Sequence, residues 1–247
     1  TGNMVPAMAN GQQVGTYELD LNTGQVTFKP NKSFYGMPDP VVVQVNDADG
    51  KPHRARYQPS VTKVTPTSTN AESIGLQGQP QSGKPSFNPG DQAVPIDMAK
   101  PMTFENGTNT LVVADQGTYT INADGSISFK PEKQFTGKAS PVTVKRVDKN
   151  GTPVTATYSP EFTKVTPTGK DTSSVNIKGL VQTGTPTFEG GNPLVPIDET
   201  VAATFEDGST EKVIPGQGTY TIAPDGTVTF TPEANFVGKG TGVTIVR

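Results

Sequence analysis

Two carboxylates recur at one spacing in this chain: Asp97 with Glu105, and Asp198 with Glu206. Paired acids flanking a sugar can hydrolyse a glycosidic bond, one as proton donor and the other as base or nucleophile. Asp97 and Asp198, however, each follow a Val-Pro-Ile run, where a carboxylate capping the amides of a turn accounts for the residue without any reaction. Asp47-Ala48-Asp49-Gly50 opens like a calcium loop, but Lys51, Pro52, His53 and Arg54 bring positive charge and no distal Glu. Its sibling, Asp148-Lys149-Asn150-Gly151, keeps the turn residues and loses one carboxylate, so both read as hairpin turns. His53 is the only histidine and Val154 stands at its equivalent, which leaves a zinc site without ligands and no recurring Ser/His/Asp set. The absence of cysteine removes any thiol nucleophile and any disulfide framework. A spontaneous Lys–Asn staple would need a lysine beside a buried carboxylate. The kept lysines, Lys63/Lys164, Lys29/Lys130 and Lys138/Lys239, do not sit centrally on apolar strands. The expectation is a chain with no catalytic, cofactor-binding or metal-binding residue, and no enzyme.

What positions these residues is a repeat. Gly117-Thr-Tyr119-Thr-Ile121-Asn-Ala-Asp124-Gly125-Ser-Ile127-Ser-Phe129-Lys-Pro131 alternates apolar and polar residues on both sides of an Asp-Gly turn, the pattern of a β-hairpin. It returns at Gly218 to Pro232, 101 residues later without a gap. A looser copy runs from Gly15 to Pro30, its Leu21-Asn22-Thr23-Gly24 turn one residue longer. Three returns at a domain-sized interval indicate a tandem array of one module. The remaining signals suit short strands joined by polar loops. Of 247 residues 32% are hydrophobic, 27 are Gly and 23 are Pro, and mean hydropathy is -0.44. Regular Val, Ile, Phe and Tyr alternation between turn signals argues against the disorder that such a composition could otherwise indicate. Charges are well mixed, 20 basic against 23 acidic, unlike a phosphate-backbone footprint, so nucleic acid is not an expected partner. No apolar run approaches the length of a membrane span.

In chain order, residues 1–66 match the later part of a module, with Met4 to Val14 a poor match to Thr103 to Gln116, a worn strand or a cut edge. Val61-Thr-Lys-Val64-Thr-Pro66-Thr67 and Phe162-Thr-Lys-Val165-Thr-Pro167-Thr168 are β-branched runs closed by proline, which favours an extended backbone. These are read as short, stiff joints, so residues 67–167 form one complete module and residues 168–247 a copy without its last strand. A boundary before each Gly-Thr-Tyr gives the same period but buries the Val-Thr-Pro stretch in mid-domain. Within the complete module, Ser73-Ile74-Gly-Leu76 reads as the first strand, and Asn106-Gly107 as a hairpin turn between Met102-Thr-Phe104 and Leu111-Val-Val113. About seven to nine strands and no helix are expected. The fold class is all-β: a tandem array of antiparallel β-sandwich modules, immunoglobulin-like or Greek-key, of about 101 residues each.

Between residues 67–146 and 168–247 about two residues in five are identical, mainly turn Gly and Pro and apolar strand positions. Exposed strand positions vary, as with Lys130 against Thr231, which fits selection on the fold more than on a repeated site. Tyr57 and Tyr158, two residues before a proline at the end of the last strand, read as half-buried tyrosines with a backbone partner. Phe87 and Phe188, in a Gly/Pro loop, read as plugs over the end of the sandwich rather than ligand-facing rings.

Together the strings Gly-Thr-Tyr-Thr-Ile-x-x-Asp-Gly-x-Val/Ile-x-Phe-x-Pro, Phe-x-Gly-Lys, Val-Pro-Ile-Asp, Thr-Phe-Glu-Asn/Asp-Gly and the Tyr-x-Pro end resemble the CshA-type fibril repeat of Gram-positive surface adhesins. The resemblance covers nearly all of the chain. Gly242 where Pro141 stands, and the extra residue near Thr23, depart from it. It implies an extracellular, cell-wall-anchored protein in which such modules form a stalk that projects a distal host-binding region. The implied partners are flanking repeats, peptidoglycan through a region outside this piece, and a host surface glycoprotein through the distal region, with the chain acting as a monomer. Weak multivalent adhesion by the repeats themselves, to host matrix glycoprotein or to neighbouring fibrils, is the alternative.

Overall fold

A computed structural model describes residues 3–247, and no helix occurs among them. The first stretch contributes β1 (Met4–Ala9), β2 (Gln12–Leu19), β3 (Val26–Pro30), β4 (Val41–Asn46) and β5 (Pro52–Tyr57). The second contributes β6 (Thr67–Thr69), β7 (Ala71–Leu76), β8 (Gln81–Gly83), β9 (Ser86–Asn88), β10 (Thr103–Phe104), β11 (Thr110–Val113), β12 (Gly117–Ile121), β13 (Ile127–Pro131), β14 (Gly137–Lys138), β15 (Val142–Val147) and β16 (Pro153–Thr163). The third contributes β17 (Thr168–Lys170), β18 (Gln182–Gly184), β19 (Thr187–Glu189), β20 (Thr204–Phe205), β21 (Glu211–Ile214), β22 (Gly218–Ile222), β23 (Val228–Pro232) and β24 (Ile245–Val246).

The hairpin read from Gly117 to Pro131 forms as expected: β12 pairs antiparallel with β13, Tyr119 opposite Phe129 and Ile121 opposite Ile127. β22 and β23 repeat it with Tyr220 opposite Phe230, and β2 and β3 with Tyr17 opposite Phe28. The leading glycine is required by packing. At Gly117 φ is +151°, and a Cβ there would lie 2.3 Å from the Lys130 carbonyl oxygen and 2.8 Å from the Phe129 ring. The cross-strand aromatic therefore lies over bare backbone.

In the second stretch β8-β13-β12-β11 makes one sheet and β10-β15-β16-β14 the other, with β7 along β16. Alternation aims Tyr119, Ile127 and Phe129 from the first sheet at Phe104, Val142, Val144, Ala156 and Tyr158 from the second, and all are buried. Tyr119 meets Phe129 at 4.3 Å between ring centroids and stands edge-on to Tyr158 at 6.1 Å. In the third stretch Ala203, Phe205, Ile222 and Val228 form the interior, with Tyr220, Val243 and Ile245 against it. The chain is thus all-β, built from repeated antiparallel sheets of the immunoglobulin-like sandwich kind.

Several local expectations change. Residues 67–163 carry eleven strands rather than seven to nine, because β6, β8, β9, β10 and β14 are too short to show a period. The first of them is β6, paired with β9, ahead of the expected Ser73–Leu76 strand. Asn106-Gly107 makes a tight turn, the Gly107 amide donating to the Phe104 carbonyl at 2.9 Å, but no hairpin. β10 pairs with β15 and β11 with β12, so this turn carries the chain from one sheet to the other. Met4 to Val14 is a complete hairpin arm: β1 joins β2 through Asn10-Gly11, both at positive φ (46° and 77°). Val94-Pro-Ile96 forms only isolated bridges, Asp91 to Val94 and Ile96 to Asp148.

The residues divide into two compact units. One comprises the chain up to Gly75, Pro80–Glu132 and Lys138–Glu161; the other comprises Leu76–Gln79, Lys133–Gly137 and Phe162–Arg247. Within the second, Phe162 is buried and meets Phe135 at 5.7 Å, so this residue of the expected joint belongs to an interior. Gln77 holds the stretch that follows: its amide donates to the Thr163 carbonyl (2.9 Å), and its side-chain oxygen accepts from the Val165 amide (3.2 Å). Thr166 then lies so close to Gly191 that a Cβ there would be 2.2 Å from its carbonyl oxygen.

Candidate functional site

Of the recurring carboxylates, Asp97 and Asp198 are held by turn contacts that lower their pKa. The Asp97 side chain accepts a charged hydrogen bond from Lys149 Nζ at 2.6 Å and one from the Ala99 amide at 3.3 Å. The lysine contact is the main reason that its acidity lies below the ordinary carboxylate range. Asp198, without such a lysine, accepts from the Thr200 hydroxyl (2.6 Å) and amide (3.1 Å), and is lowered mainly by the hydroxyl. A glycosidase acid needs the opposite shift, a carboxyl held protonated near neutrality. Glu105 and Glu206 are exposed. Glu105 borders a shallow, open depression with Phe104, Asn106, Leu111, Pro141 and Val142, and Asp97 is not part of that lining. The two acids do not converge on a cleft.

The calcium-like stretch is a hairpin turn. Asp47 Oδ1 accepts from the amides of Asp49 (3.0 Å) and Lys51 (2.8 Å), while Oδ2 lies 3.0 Å from His53 Nε2, and the histidine contact does most to lower Asp47. In the sibling, Asp148 Oδ1 accepts from Asn150 (2.9 Å) and Thr152 (2.8 Å) in the same way. The aspartate at this position spends Oδ1 on amides of its own turn. Among the described residues no group of three or more His, Asp or Glu is placed to hold a metal ion.

The kept lysines point to water. Lys29 pairs with Glu18 (2.6 Å), Lys138 lies 3.9 Å from Glu161, and Lys63 Nζ sits 5.2 Å from the centre of the Tyr35 ring. Lys130, Lys164 and Lys239 are exposed.

The aromatics differ from expectation in detail. Tyr158 is fully buried rather than half-buried, and its hydroxyl meets the Ser73 hydroxyl at 2.8 Å rather than backbone. The reason is that β16 continues through Pro160 to Thr163, so the proline lies within the strand rather than ending it. Tyr57 remains 38% exposed. Phe87 and Phe188 lie on β9 and β19, each a short strand paired with the opening strand of its stretch, and the Arg146 guanidinium stands 5.9 Å from the Phe87 ring centre.

Two recurring contacts escaped the sequence reading. The Tyr119 hydroxyl donates to the Ser140 carbonyl (2.8 Å), as the Tyr17 hydroxyl does to Asp39 (2.9 Å). Gln116 Oε1 accepts from the Ser140 amide (2.7 Å) while Nε2 donates to its hydroxyl (3.1 Å), and Gln217 grips Thr241 identically (2.7 and 3.0 Å). The identity of Gln116 and Gln217, directly ahead of Gly-Thr-Tyr, was the available signal. All these contacts stabilise the sandwich.

The family model for the surface adhesin CshA repetitive domain matches residues 3–61, 63–162 and 164–247. The chain belongs to the CshA repeat family. It is a repetitive structural module of a fibrillar surface adhesin, outside the cell on a cell-wall-anchored protein, next to further repeats of its own chain, and non-enzymatic. Among solved structures it is similar to repeat domain 13 of the fibrillar adhesin CshA from Streptococcus gordonii, with 65% identity over 30% of this chain and 96% of that one (TM-score 0.18). Weaker similarity extends to the N-terminal eight immunoglobulin domains of Down syndrome cell adhesion molecule, at 12% identity over 99% of this chain and 36% of that one (TM-score 0.32). A tetra-tandem repeat from the extending region of a large adhesion protein is 18% identical over 95% of this chain and 60% of that one (TM-score 0.21). No curated protein matches the chain.

Proposed function

We propose that this CshA repeat array is a stalk: a spacer that projects a distal host-binding region away from the wall. The observation that carries this reading is where the recurring residues sit. Tyr119, Phe129, Ile222 and Phe230 are buried, while Asp124, Asp207 and Asp225 close their own turns. Repetition has preserved an interior and its turns, which is what a spacer must retain. The modules that fit this role end at Pro66 and Pro167: residues 1–66 the later part of one, 67–167 a whole one, and 168–247 one lacking its last strand. Stiff joints serve the role, and the Gln77 contacts to Thr163 and Val165 with the close approach of Thr166 to Gly191 support stiffness at the second. In this reading the chain holds no catalytic, cofactor or metal residue. Anchoring to peptidoglycan lies in another region of the parent, and a host surface glycoprotein is met by the distal region. The spacer role asks for only one chain at a time.

One observation favours the alternative, a weakly adhesive repeat. Val112 and Val213 occupy equivalent positions and are both exposed, at 72% and 59%. Single exposed valines are ordinary on a soluble surface, and multivalent adhesion would need a contiguous patch. The experiment compares one module with three on immobilised host matrix glycoprotein. Binding that stays at background for both supports the spacer, and affinity that climbs steeply with copy number would establish adhesion by the repeats.

A further inference from the structure

We infer that Asn10-Gly11 is a site of spontaneous modification: in the folded chain it deamidates through a cyclic imide, while two other Asn-Gly pairs are held back by their hydrogen bonds.

Three asparagines precede glycine, at 10, 106 and 150. The reaction uses the glycine nitrogen as nucleophile. Having lost its proton to solvent base, that nitrogen bonds to the asparagine Cγ. The Cγ–Nδ2 bond breaks, and Nδ2 leaves as ammonia with a proton from water. Water then adds to either imide carbonyl, and ring opening gives aspartate or isoaspartate. Glycine permits the approach because no Cβ stands in the way. Asn88 and Asn192 precede proline, which has no N–H to lose.

Space does not separate the three pairs. A Cβ on Gly11, Gly107 or Gly151 would meet nothing within 4 Å. Hydrogen bonding does separate them. The Gly107 amide donates to the Phe104 carbonyl, and the Gly151 amide to the Asp148 carbonyl, both at 2.9 Å. Asn106 is held at its other end too, since Oδ1 accepts from the Thr108 amide (3.0 Å) and lies 2.7 Å from the Thr108 hydroxyl. The Asn150 amide donates to Asp148 Oδ1 (2.9 Å), which fixes the residue that would have to turn. By contrast, neither the Gly11 amide nor the exposed Asn10 side chain makes a hydrogen bond among the described residues.

The fold explains the difference. Asn10-Gly11 is the two-residue turn between β1 and β2, whose ladder ends at Ala9 opposite Gln12. The bond that closes such a turn joins the flanking residues and uses neither central amide. β2 is eight residues long against five in β12 and β22, so the turn is carried beyond the position of its siblings. β1 is an edge strand, as β11 is in the complete module. The held pairs also show what the acid does there. Asp207 and Asp49 stand at the equivalents of Asn106 and Asn150, and Gly208 and Gly50 keep the same amide bonds (2.8 and 3.0 Å). At residue 10, aspartate adds a negative charge to the hairpin tip. Isoaspartate also lengthens the main chain inside the turn and disturbs the register of Ala9 with Gln12. On a protein held outside the cell the change accumulates with time, whether or not the repeats act as a spacer.

Peptide mapping by mass spectrometry tests this on the whole 247-residue chain, kept folded in mildly alkaline buffer. Residue 10 should convert at least about fivefold faster than residues 106 and 150, the factor set by one hydrogen bond that must open first. In denaturant those bonds are gone and the three rates should converge. Asn10→Gln should remove the acidic species resolved by charge separation, because the longer side chain closes a larger ring more slowly. Amide hydrogen exchange on the unmodified chain is a second measure, with Gly107 and Gly151 protected and Gly11 not. Conversion at 106 or 150 as fast as at 10 in the folded chain overturns the proposal. Equal protection of the three amides does so too, as does a residue 10 that stays asparagine throughout.

Discussion

Residues 67–146 and 168–247 spell nearly the same strands, yet the two interiors are not equally closed. Phe129 is wholly buried and Phe230 retains 8% exposure; Tyr119 is buried between two rings, while Tyr220 is half-buried against Phe230. The difference traces to β16, which brings Tyr158 against Tyr119, Phe162 against Phe135, and Ser73 into a hydrogen bond. The hairpins are local and form wherever their residues occur. Closure is non-local and depends on a strand about eighty residues along the chain from the segment it covers.

Removing the closing ring is the strongest way to break that contrast. Tyr158→Ala should destabilise the second module by about 3–5 kcal/mol, the usual cost of deleting a buried aromatic. Tyr57→Ala, at an equivalent but 38% exposed position, should cost on the order of 1 kcal/mol. Calorimetry of the two variants checks this, since only the first should shift the most stable transition substantially. Equal shifts would mean that β16 is not what separates the copies.

Gly117→Ala and Gly218→Ala probe the opposite, local half of the comparison. Both glycines have strongly positive φ, +151° and +154°, and in each a Cβ would lie 2.3 Å from a carbonyl oxygen across the hairpin. The cost should be on the order of 2 kcal/mol or more at both sites, irrespective of closure. Denaturant unfolding of each variant measures it.

A third test uses the turn before each hairpin. Val113-Ala-Asp-Gln116 and Ile214-Pro-Gly-Gln217 are closed by the same amide-to-carbonyl bond, at 3.1 and 3.0 Å. The third position is Asp115 at φ 61° in one and Gly216 at φ 76° in the other. The Pro-Gly pair suits this turn, whereas Asp115 bears the left-handed conformation at a cost. The double substitution Ala114→Pro with Asp115→Gly should stabilise the second module by about 1 kcal/mol, read as a higher unfolding midpoint at unchanged denaturant dependence.

The local features were legible in the sequence because they have a short period: alternation on either side of Asp-Gly at 124–125 and 225–226, and turn chemistry at Asp47 and Asp148. Recurrence of apolar strand positions also located part of the interior, at Phe129 and Ile96. What misled was a signal that is local in form and non-local in outcome. Asn106-Gly107 has the composition of a hairpin turn, but the strand before it joins β15, far along the chain, while the strand after it joins the next strand, β12. The burial of Tyr158 and Phe162 was hidden in the same way, since Pro160 resembles a strand terminator, yet β16 runs on past it and its carbonyl accepts from the Ala139 amide (3.0 Å). The carboxylates were readable as turn caps, but the lysine that distinguishes Asp97 from Asp198 comes from the β15–β16 turn and is invisible to spacing.

That lysine supplies the smallest effect and the last contrast. Asp97 is held below its ordinary acidity chiefly by Lys149, and Asp198 chiefly by the Thr200 hydroxyl. A carboxylate with a depressed folded-state pKa contributes stability that is fully present above its unfolded value, about 3.9, and is lost as pH falls through the folded value. Both modules should therefore hold constant stability from neutrality down to about pH 4 and weaken below it. The contribution at Asp97 rests first on an opposite charge, whereas at Asp198 the charge of Lys133 is the smallest of the causes, so the part at Asp97 should shrink more with added salt. Lys149→Met should reduce the salt sensitivity of the second module's acid transition and leave the third module's unchanged. Equal salt responses before and after the substitution would show that the Asp97 contact is screened by water already, and that the two turns are energetically alike.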